Sequence, residues 1–335
     1  MSNTKGFSLV ELLVALALSA TLLLGMFQIF SSNQQAFSLQ NGVARMQENG
    51  RIAMEIMTKN IRSVGFMGCA TGQFSANFTN HIKVSEYTGA AVQTALTDFD
   101  GDNALIPFNN IAGTDLAGYG VTIGTGAGEA VAGSDAVFIQ TVEPCQGLAI
   151  EGADTDANTL AVENVASCGI NANSLLLVSD CSTAEAFGVT SISAATNVIE
   201  LDGTNNTQTA LDHFYSDGAF VYLLNFSLLY LGNNANGDTG LYLRTLEDPT
   251  GNTRPSFVSY EVAQGIEQFT VLYGEDTTAD GSVNTYVDGD GVTATNSVLS
   301  VQTQIDVRGD DNQAINPTNL LTSYATTNAI RNRLN

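Results

Sequence analysis

The 335-residue chain has no tryptophan, two histidines, four cysteines, five prolines and only 11 Lys plus Arg against 34 Asp plus Glu. The shortage of positive charge is the most restrictive of these. With a formal net charge of −23 and no Lys or Arg between Lys83 and Arg244, no basic face is available to neutralise phosphates, so nucleic acid is not expected as a partner. The cysteines, Cys69, Cys145, Cys168 and Cys181, contain no CxxC pair, which disfavours tetrahedral zinc frameworks. An even cysteine count in a Lys-poor chain rich in Asn, Thr, Ser and Gly fits an exported, oxidised protein with disulfides, and three connectivities are open. His81 and His213 have no third partner at a recognisable spacing and are expected at surface or loop positions. No GxSxG elbow or HExxH helix occurs, and the Gly-rich run 124–133 lacks the Lys of a phosphate loop, so neither catalysis nor an organic cofactor is expected. At 44% hydrophobic residues the chain can nevertheless bury a sizeable core.

What is present begins at the N-terminus. Phe7 to Phe30 is a 24-residue apolar run carrying one charge, Glu11. As a helix it would be about 36 Å long at 1.5 Å per residue, enough to cross a hydrocarbon layer of about 30 Å. Lys5 and the initiator amine precede it, and no further basic residue appears until Arg45, which points the bulk of the chain away from the cytoplasm. A cleaved secretory signal would have a shorter apolar region, about 7–15 residues. Here the run passes without a proline into a second pattern. Ala36, Leu39, Val43, Met46, Gly50, Ala53, Met57, Ile61 and Val64 recur at three- and four-residue spacings, the mark of one helical stripe. One helix from Phe7 to Val64 is therefore expected, its first half in lipid and its second half against a folded domain. Glu11 is costly in hydrocarbon unless it snorkels to the interface, is protonated or meets a cation. Cleavage after Gly6 would place a new amine on Phe7, and a neighbouring copy could present that amine to the carboxylate.

KGFSLVELLVALALSATLLLG resembles the class III prepilin signal: a short basic leader, Gly, Phe, an apolar run, and Glu at the fifth mature position. Downstream, SVGFMGC (63–69), SDCSTAEAFGVTSI (179–192), GIEQFTVLYGEDTTADGSVNTYVDGDG (265–291) and AIRNRLN (329–335) are similar to the PilW family of minor pilins. The resemblance implies cleavage between Gly6 and Phe7 by prepilin peptidase, N-methylation of Phe7, and filament assembly through Glu11. It implies a single-pass inner-membrane subunit with a periplasmic globular domain that later enters a cell-surface pilus. Implied partners are other minor pilins, the major pilin, the inner-membrane assembly platform and a large tip adhesin, with roles in pilus initiation, twitching motility, adhesion or DNA uptake. A helix Pro common in major pilins is absent near Gln28, so no kink is expected there. A pseudopilin of a type II secretion system, a membrane-anchored adhesin and a tethered exported enzyme are the competing readings.

Beyond Cys69 the helical period gives way to short β-rich runs bounded by Gly, Asn and Asp. Strands are expected at 136–142, 174–179, 186–192, 197–201, 220–231, 241–246, 257–262, 268–273 and 298–307. In the last of these Val301, Thr303, Ile305 and Val307 alternate with polar residues, as a half-buried antiparallel strand requires. Residues 71–134 look like a loop-heavy insertion. The expected fold is α+β and pilin-like, a long N-terminal helix packed on a mostly antiparallel sheet. It divides into a leader (1–6), a membrane and filament-core helix (7–30), its amphipathic continuation (31–66) and a β-rich domain (67–335). One acidic loop resembles a calcium loop: Asp276, Thr278, Asp280, Ser282 and Asn284 alternate as oxygen ligands around Gly281, with Asp288 close by. It departs at Thr278 and at Val287, where a bidentate Glu should stand, and an acidic hairpin turn is the alternative.

Overall fold

The computed structural model describes residues 8–68, 77–99, 103–151, 158–247, 253–309 and 321–333. Helix α1 occupies Leu9–Ser63 without interruption. It is followed by β1 (Phe78–Asn80), α2 (Ala90–Thr97), β2 (Leu105–Phe108), β3 (Ala136–Ala149), β4 (Thr159–Ala161), β5 (Leu175–Ser179), β6 (Ala184–Gly188), β7 (Ser191–Ser193) and β8 (Val198–Glu200). Then come β9 (Phe220–Asn233), β10 (Thr239–Glu247), β11 (Ser256–Gln264), β12 (Ile266–Glu275), β13 (Thr285–Val287), β14 (Val298–Arg308) and β15 (Leu321–Ala329). The chain divides into two compact units whose boundary falls inside α1, between Glu48 and Asn49. The first holds α1 up to Glu48 with the last residue of β14 and the first two of β15; the second holds the rest of α1 and the remainder of the β-rich body.

The body is organised around β9. Along one edge it pairs antiparallel with β3, from Ala136 opposite Tyr230 to Pro144 opposite Tyr222. Along its other edge β5 pairs with residues 220–223 and β10 with residues 227–233. Adding β6 and β1 beyond β5, β11 beyond β10 and β2 beyond β3 gives eight strands, of which only the β1–β6 pair is parallel among the described pairings. Both faces of this sheet are covered. Leu175 and Leu177 of β5, with Leu224, Phe226, Leu228 and Tyr230 of β9, join a core containing Tyr87, Phe99 and Phe138. The intervening Leu176, Val178 and Val221 join a second core with Leu148, Phe187, Ile199, Leu211 and Tyr215, the side on which the small β4-β8-β7 sheet lies. The period of two thus places apolar residues at successive positions, and all five residues of β5 are buried.

A single residue, Gly265, connects β11 to β12 and so carries the chain from the large sheet into the four-stranded sheet β13-β12-β14-β15. Its φ of 71° lies in the left-handed region that favours glycine. In β14, Val301, Thr303, Ile305 and Val307 are buried, and Gln302, Gln304 and Asp306 are more exposed. The expected alternation is the observed one.

Within the second unit, α1 from Asn49 onward turns Gly50, Ala53, Met57 and Ile61 inward, with Val64 just beyond its end. Asn49 Nδ2 donates to the Gln264 carbonyl at 3.0 Å, and Asn328 Nδ2 lies 3.4 Å from Thr58 Oγ1. Asn332 Nδ2 donates to the Val64 carbonyl at 3.1 Å, just past the helix end, where carbonyls lack helical partners. The Tyr324 ring covers Gly50 so closely that a Cβ there would sit 2.6 Å from it.

Two expectations need correction. Residues 186–192 do not form one strand: β6 stops at Gly188, Val189 N–H turns to the Ser174 carbonyl, and Thr190 N–H turns to Glu200 before β7 begins. Residues 71–134 are not loop alone, because β1, α2 and β2 lie there, with Val92, Leu96 and Phe99 in the first core. The resulting architecture is α+β, one long helix with a mostly antiparallel body.

Overpacking a closed helix–ring contact costs about 1–3 kcal/mol. Gly50→Leu is therefore expected to lower the unfolding free energy by that amount, and adding Tyr324→Ala should recover part of the loss. Denaturant unfolding followed by circular dichroism checks both.

Candidate functional site

The most distinctive surface of the chain is the first part of α1. Every residue from Leu9 to Phe30 is exposed, including Leu12, Leu16, Leu23, Phe27 and Phe30. Twenty-two residues of helix give about 33 Å of apolar length, matched to a hydrocarbon core of about 30 Å. An apolar surface this large needs lipid or other helices around it. Glu11 is its only charge. The Ser8 N–H donates to Glu11 Oε2 at 3.1 Å, half of a capping box in which the acid three residues into the helix satisfies an otherwise orphaned amide. Thr21 satisfies its hydroxyl on the Leu18 carbonyl at 2.8 Å. The helix therefore presents one carboxylate near its N-terminal end and no other charge until Arg45, about nine turns further on. Gly6 and Phe7, the residues expected at the processing point, lie outside the described residues.

The acidic loop of 276–288 is a hairpin between β12 and β13. Its oxygens are turned onto the loop's own donors. Asp276 accepts from the N–H groups of Thr278, Asp280 and Gly281 at 3.1, 3.2 and 2.7 Å. Asn284 Oδ1 accepts from Thr277 N–H at 2.7 Å and from the Thr278 hydroxyl at 3.1 Å. Asp280 Oδ1 accepts from Ser282 N–H at 2.9 Å and from its hydroxyl at 2.5 Å, while Asp288 accepts from Gly291 N–H at 2.9 Å. A calcium ion bound by Asp276, Thr278, Asp280, Ser282, Asn284 and Asp288 would have to compete with these bonds. Just before the hairpin, Glu275 is 1% exposed and accepts from Thr293 and Ala294 N–H groups and the Thr293 and Ser297 hydroxyls. Burial pushes its carboxyl up, these bonds push it down further, and the net shift is below the ordinary value.

Among the described residues the cysteines are oxidised. Cys145 bonds to Cys168 across a Cα–Cα distance of 6.1 Å, at the point where the β3–β9 register jumps from Pro144 to Ala149. Cys181 is also disulfide-bonded, and Cys69 lies outside the described residues.

The expected surface position fails for His81. It is 1% exposed, and its Nε2 lies 2.6 Å from Glu185 Oε2, itself in the fully buried β6. The same oxygen accepts from Asp212 N–H at 2.7 Å, and Oε1 accepts from His213 N–H and the Tyr215 hydroxyl, each at 3.0 Å. Four donors on one carboxylate remove the cost of burying it, and because an ionised carboxylate only accepts, the proton of His81 sits on Nε2. Burial raises the Glu185 carboxyl, but the bonds from His81, Asp212 and Tyr215 outweigh it and leave the group below its ordinary value. Asp212 places Oδ2 at 3.8 Å from the same ring nitrogen. His213, half-buried, pairs with Asp180 at 3.0 Å. Burial raises Asp180 and bonds from Ser182 and Thr183 more than reverse it, bringing it to about 2. The loop 211–215 is thus pinned to β6 and to the end of β1 by one acid. The signal for it in the sequence was Glu185 itself, a lone carboxylate inside the apolar run Ala184–Gly188.

The α+β body on a long helix with a lipid-matched apolar half is pilin-like. Residues 1–27 match the prokaryotic N-terminal methylation motif. Residues 228–331 match the family of type IV pilus-assembly protein W, PilW, a stretch running from the end of β9 through β15 and containing the whole four-stranded sheet. Over these two stretches the chain is similar to type IV pilus-related minor pilins, which supports the resemblance read from the sequence. No curated protein and no solved structure matches the chain. The His81–Glu185 cluster lies outside both matched stretches.

An acid whose carboxyl is lowered on folding stabilises the fold above its unfolded value and loses that contribution as pH falls through the folded one. Glu185→Gln, which presents an amide N–H₂ where a carboxylate accepted, is expected to cost about 1–3 kcal/mol at pH 7. The gap from wild type should narrow as pH falls below about 4.5. Unfolding of both chains across pH 3–7 in chelator-containing buffer measures it.

Proposed function

We propose that the chain is a structural minor pilin, made as a prepilin, cut between Gly6 and Phe7 and N-methylated at Phe7. In this reading residues 1–6 are the leader, 7–30 the membrane and filament-core helix, 31–66 its amphipathic continuation, and 67–335 the periplasmic domain. Before assembly it is a single-pass inner-membrane protein; afterwards it is part of a surface pilus. Prepilin peptidase, the assembly platform, the major pilin, other minor pilins and a large tip adhesin are its proposed partners. Its proposed place is at or near the tip, where it supports initiation and, through the pilus, motility, adhesion or DNA uptake.

One observation carries the reading: a fully exposed apolar helix surface with a single acid near its start, inside a stretch that matches the methylation motif. A plain anchor has no use for Glu11, since a carboxylate lowers the affinity of a helix for lipid. In a bundle of copies the same group can meet a neighbour's Phe7 amine, and the pair fixes the axial offset between helices. A secretion-system pseudopilin shares these N-terminal features; the PilW match over 228–331 favours the pilus.

Mass spectrometry of the N-terminus from assembled material tests the processing directly. A chain beginning at N-methyl-Phe7 is expected. Retention of residues 1–6, or an unmodified amine on Phe7, contradicts it.

A further inference from the structure

A second site sits well away from the assembly helix in sequence, in a region that neither family match covers. His81 Nε2, a Glu185 carboxylate oxygen and an Asp212 carboxylate oxygen all lie within 4.8 Å of one another. His81 and Glu185 have side chains 2% and 3% exposed, whereas Asp212, at 55%, faces solvent. We propose that these three residues form a binding site for a divalent transition metal of the zinc type, with Asp212 on the side through which the ion and a water ligand enter.

Charge is the first argument. Ion pairs of Glu185 and Asp212 are made with His81 alone among the described residues, so two carboxylates face one imidazole. No Lys or Arg occurs in the sequence between Lys83 and Arg244 to supply the missing charge. A divalent cation supplies it.

Donor chemistry selects the class of ion. One imidazole nitrogen with two carboxylates suits zinc and its first-row neighbours, whereas calcium and magnesium take oxygen ligands. Separations of 2.6 Å from Nε2 to Glu185 and 3.8 Å to Asp212 bracket the roughly 3.3–3.5 Å between ligand atoms around an ion held at 2.0–2.1 Å. With all three ligand atoms within 4.8 Å of one another, side-chain adjustments of about 1–2 Å bring them into place. Metal binding displaces the proton from Nε2, to Nδ1 or, where Nδ1 already carries one, to solvent, and the freed Nε2 lone pair binds the metal. Glu185 loses only the His81 hydrogen bond. Its other three donors, Asp212 N–H, His213 N–H and the Tyr215 hydroxyl, remain as the outer contacts that hold a ligating carboxylate in orientation. Since Asp212 lies in the loop that Glu185 pins, the metal would clamp that loop to β6 and to the end of β1.

The site is tested with full-length protein in detergent, stripped with EDTA and dialysed against micromolar Zn²⁺. About one zinc per chain by elemental analysis and a raised unfolding temperature are expected. Asp212→Asn changes an exposed side chain whose ion pair in the metal-free fold is the long 3.8 Å one to His81, so it should leave the circular dichroism spectrum unchanged and weaken zinc binding at least about tenfold. His81→Gln should abolish binding, and if it fails to fold, Asp212→Asn alone decides. A folded wild-type chain that takes up no zinc overturns the site. So does an Asp212→Asn chain that binds like wild type, or zinc that millimolar Ca²⁺ displaces, which would assign the ion to an oxygen-only site such as the 276–288 hairpin.

Discussion

A helix surface of leucine, alanine and phenylalanine with one carboxylate near its beginning cannot be left in water and is not fully at home in lipid. Every residue from Leu9 to Phe30 is exposed in the isolated chain, and Glu11 is the single charge among them. Lipid solves the first problem and leaves the second. A bundle of like helices solves both, because it buries the apolar side chains and can bring a freed amine to the acid. Within one chain Glu11 has a provisional partner, the Ser8 N–H, so the carboxylate is satisfied locally before any neighbour arrives. In the proposed function, exchanging that local bond for an intermolecular one is the step from membrane to filament.

The body holds together with almost no basic residues. With 11 Lys plus Arg against 34 Asp plus Glu, the chain has too few cations for wide salt-bridge networks. Order comes instead from two-sided burial of the strands around β9, from disulfides such as Cys145–Cys168, and from acids saturated by hydrogen bonds rather than cations. Glu275 and Glu185 follow the same plan. Each is buried, and each organises a following loop, 293–297 or 212–215, by accepting from its N–H and hydroxyl groups. Exposed pairs such as Arg51–Glu55, at 3.6 Å on the helix, add little by comparison.

Much of this was legible in the residues because the deciding forces were local. The absence of proline and the three-four spacing of Gly50, Ala53, Met57 and Ile61 specify α1 and its inner stripe, and β14 shows its buried face by plain alternation. Less legible were elements whose partners are distant. Strand β15 is Thr-, Ser- and Asn-rich, with only Asn328 buried, so neither hydrophobicity nor period marks it, and its place follows from pairing with β14. His81 looked unpartnered because Glu185 is 104 residues away, brought to it by the parallel β1–β6 pairing. Tertiary pairing of that kind leaves no mark in spacing. The acid did leave one, as an isolated charge in a strand that otherwise had to be buried.

Assembly through Glu11 is the claim from which processing, location and partnership all follow, and its loss can be read without disturbing the body. Replacing Glu11 with valine removes the charge and lengthens the apolar run, so insertion into the inner membrane should be unaffected. The decisive quantity is the amount of this chain in sheared filaments relative to the amount retained in membranes. Glu11→Val is expected to accumulate in membranes and to fall at least about tenfold in the filament fraction, the factor that roughly 1.4 kcal/mol of lost pairing produces. Equal abundance of variant and wild type in sheared filaments would contradict it.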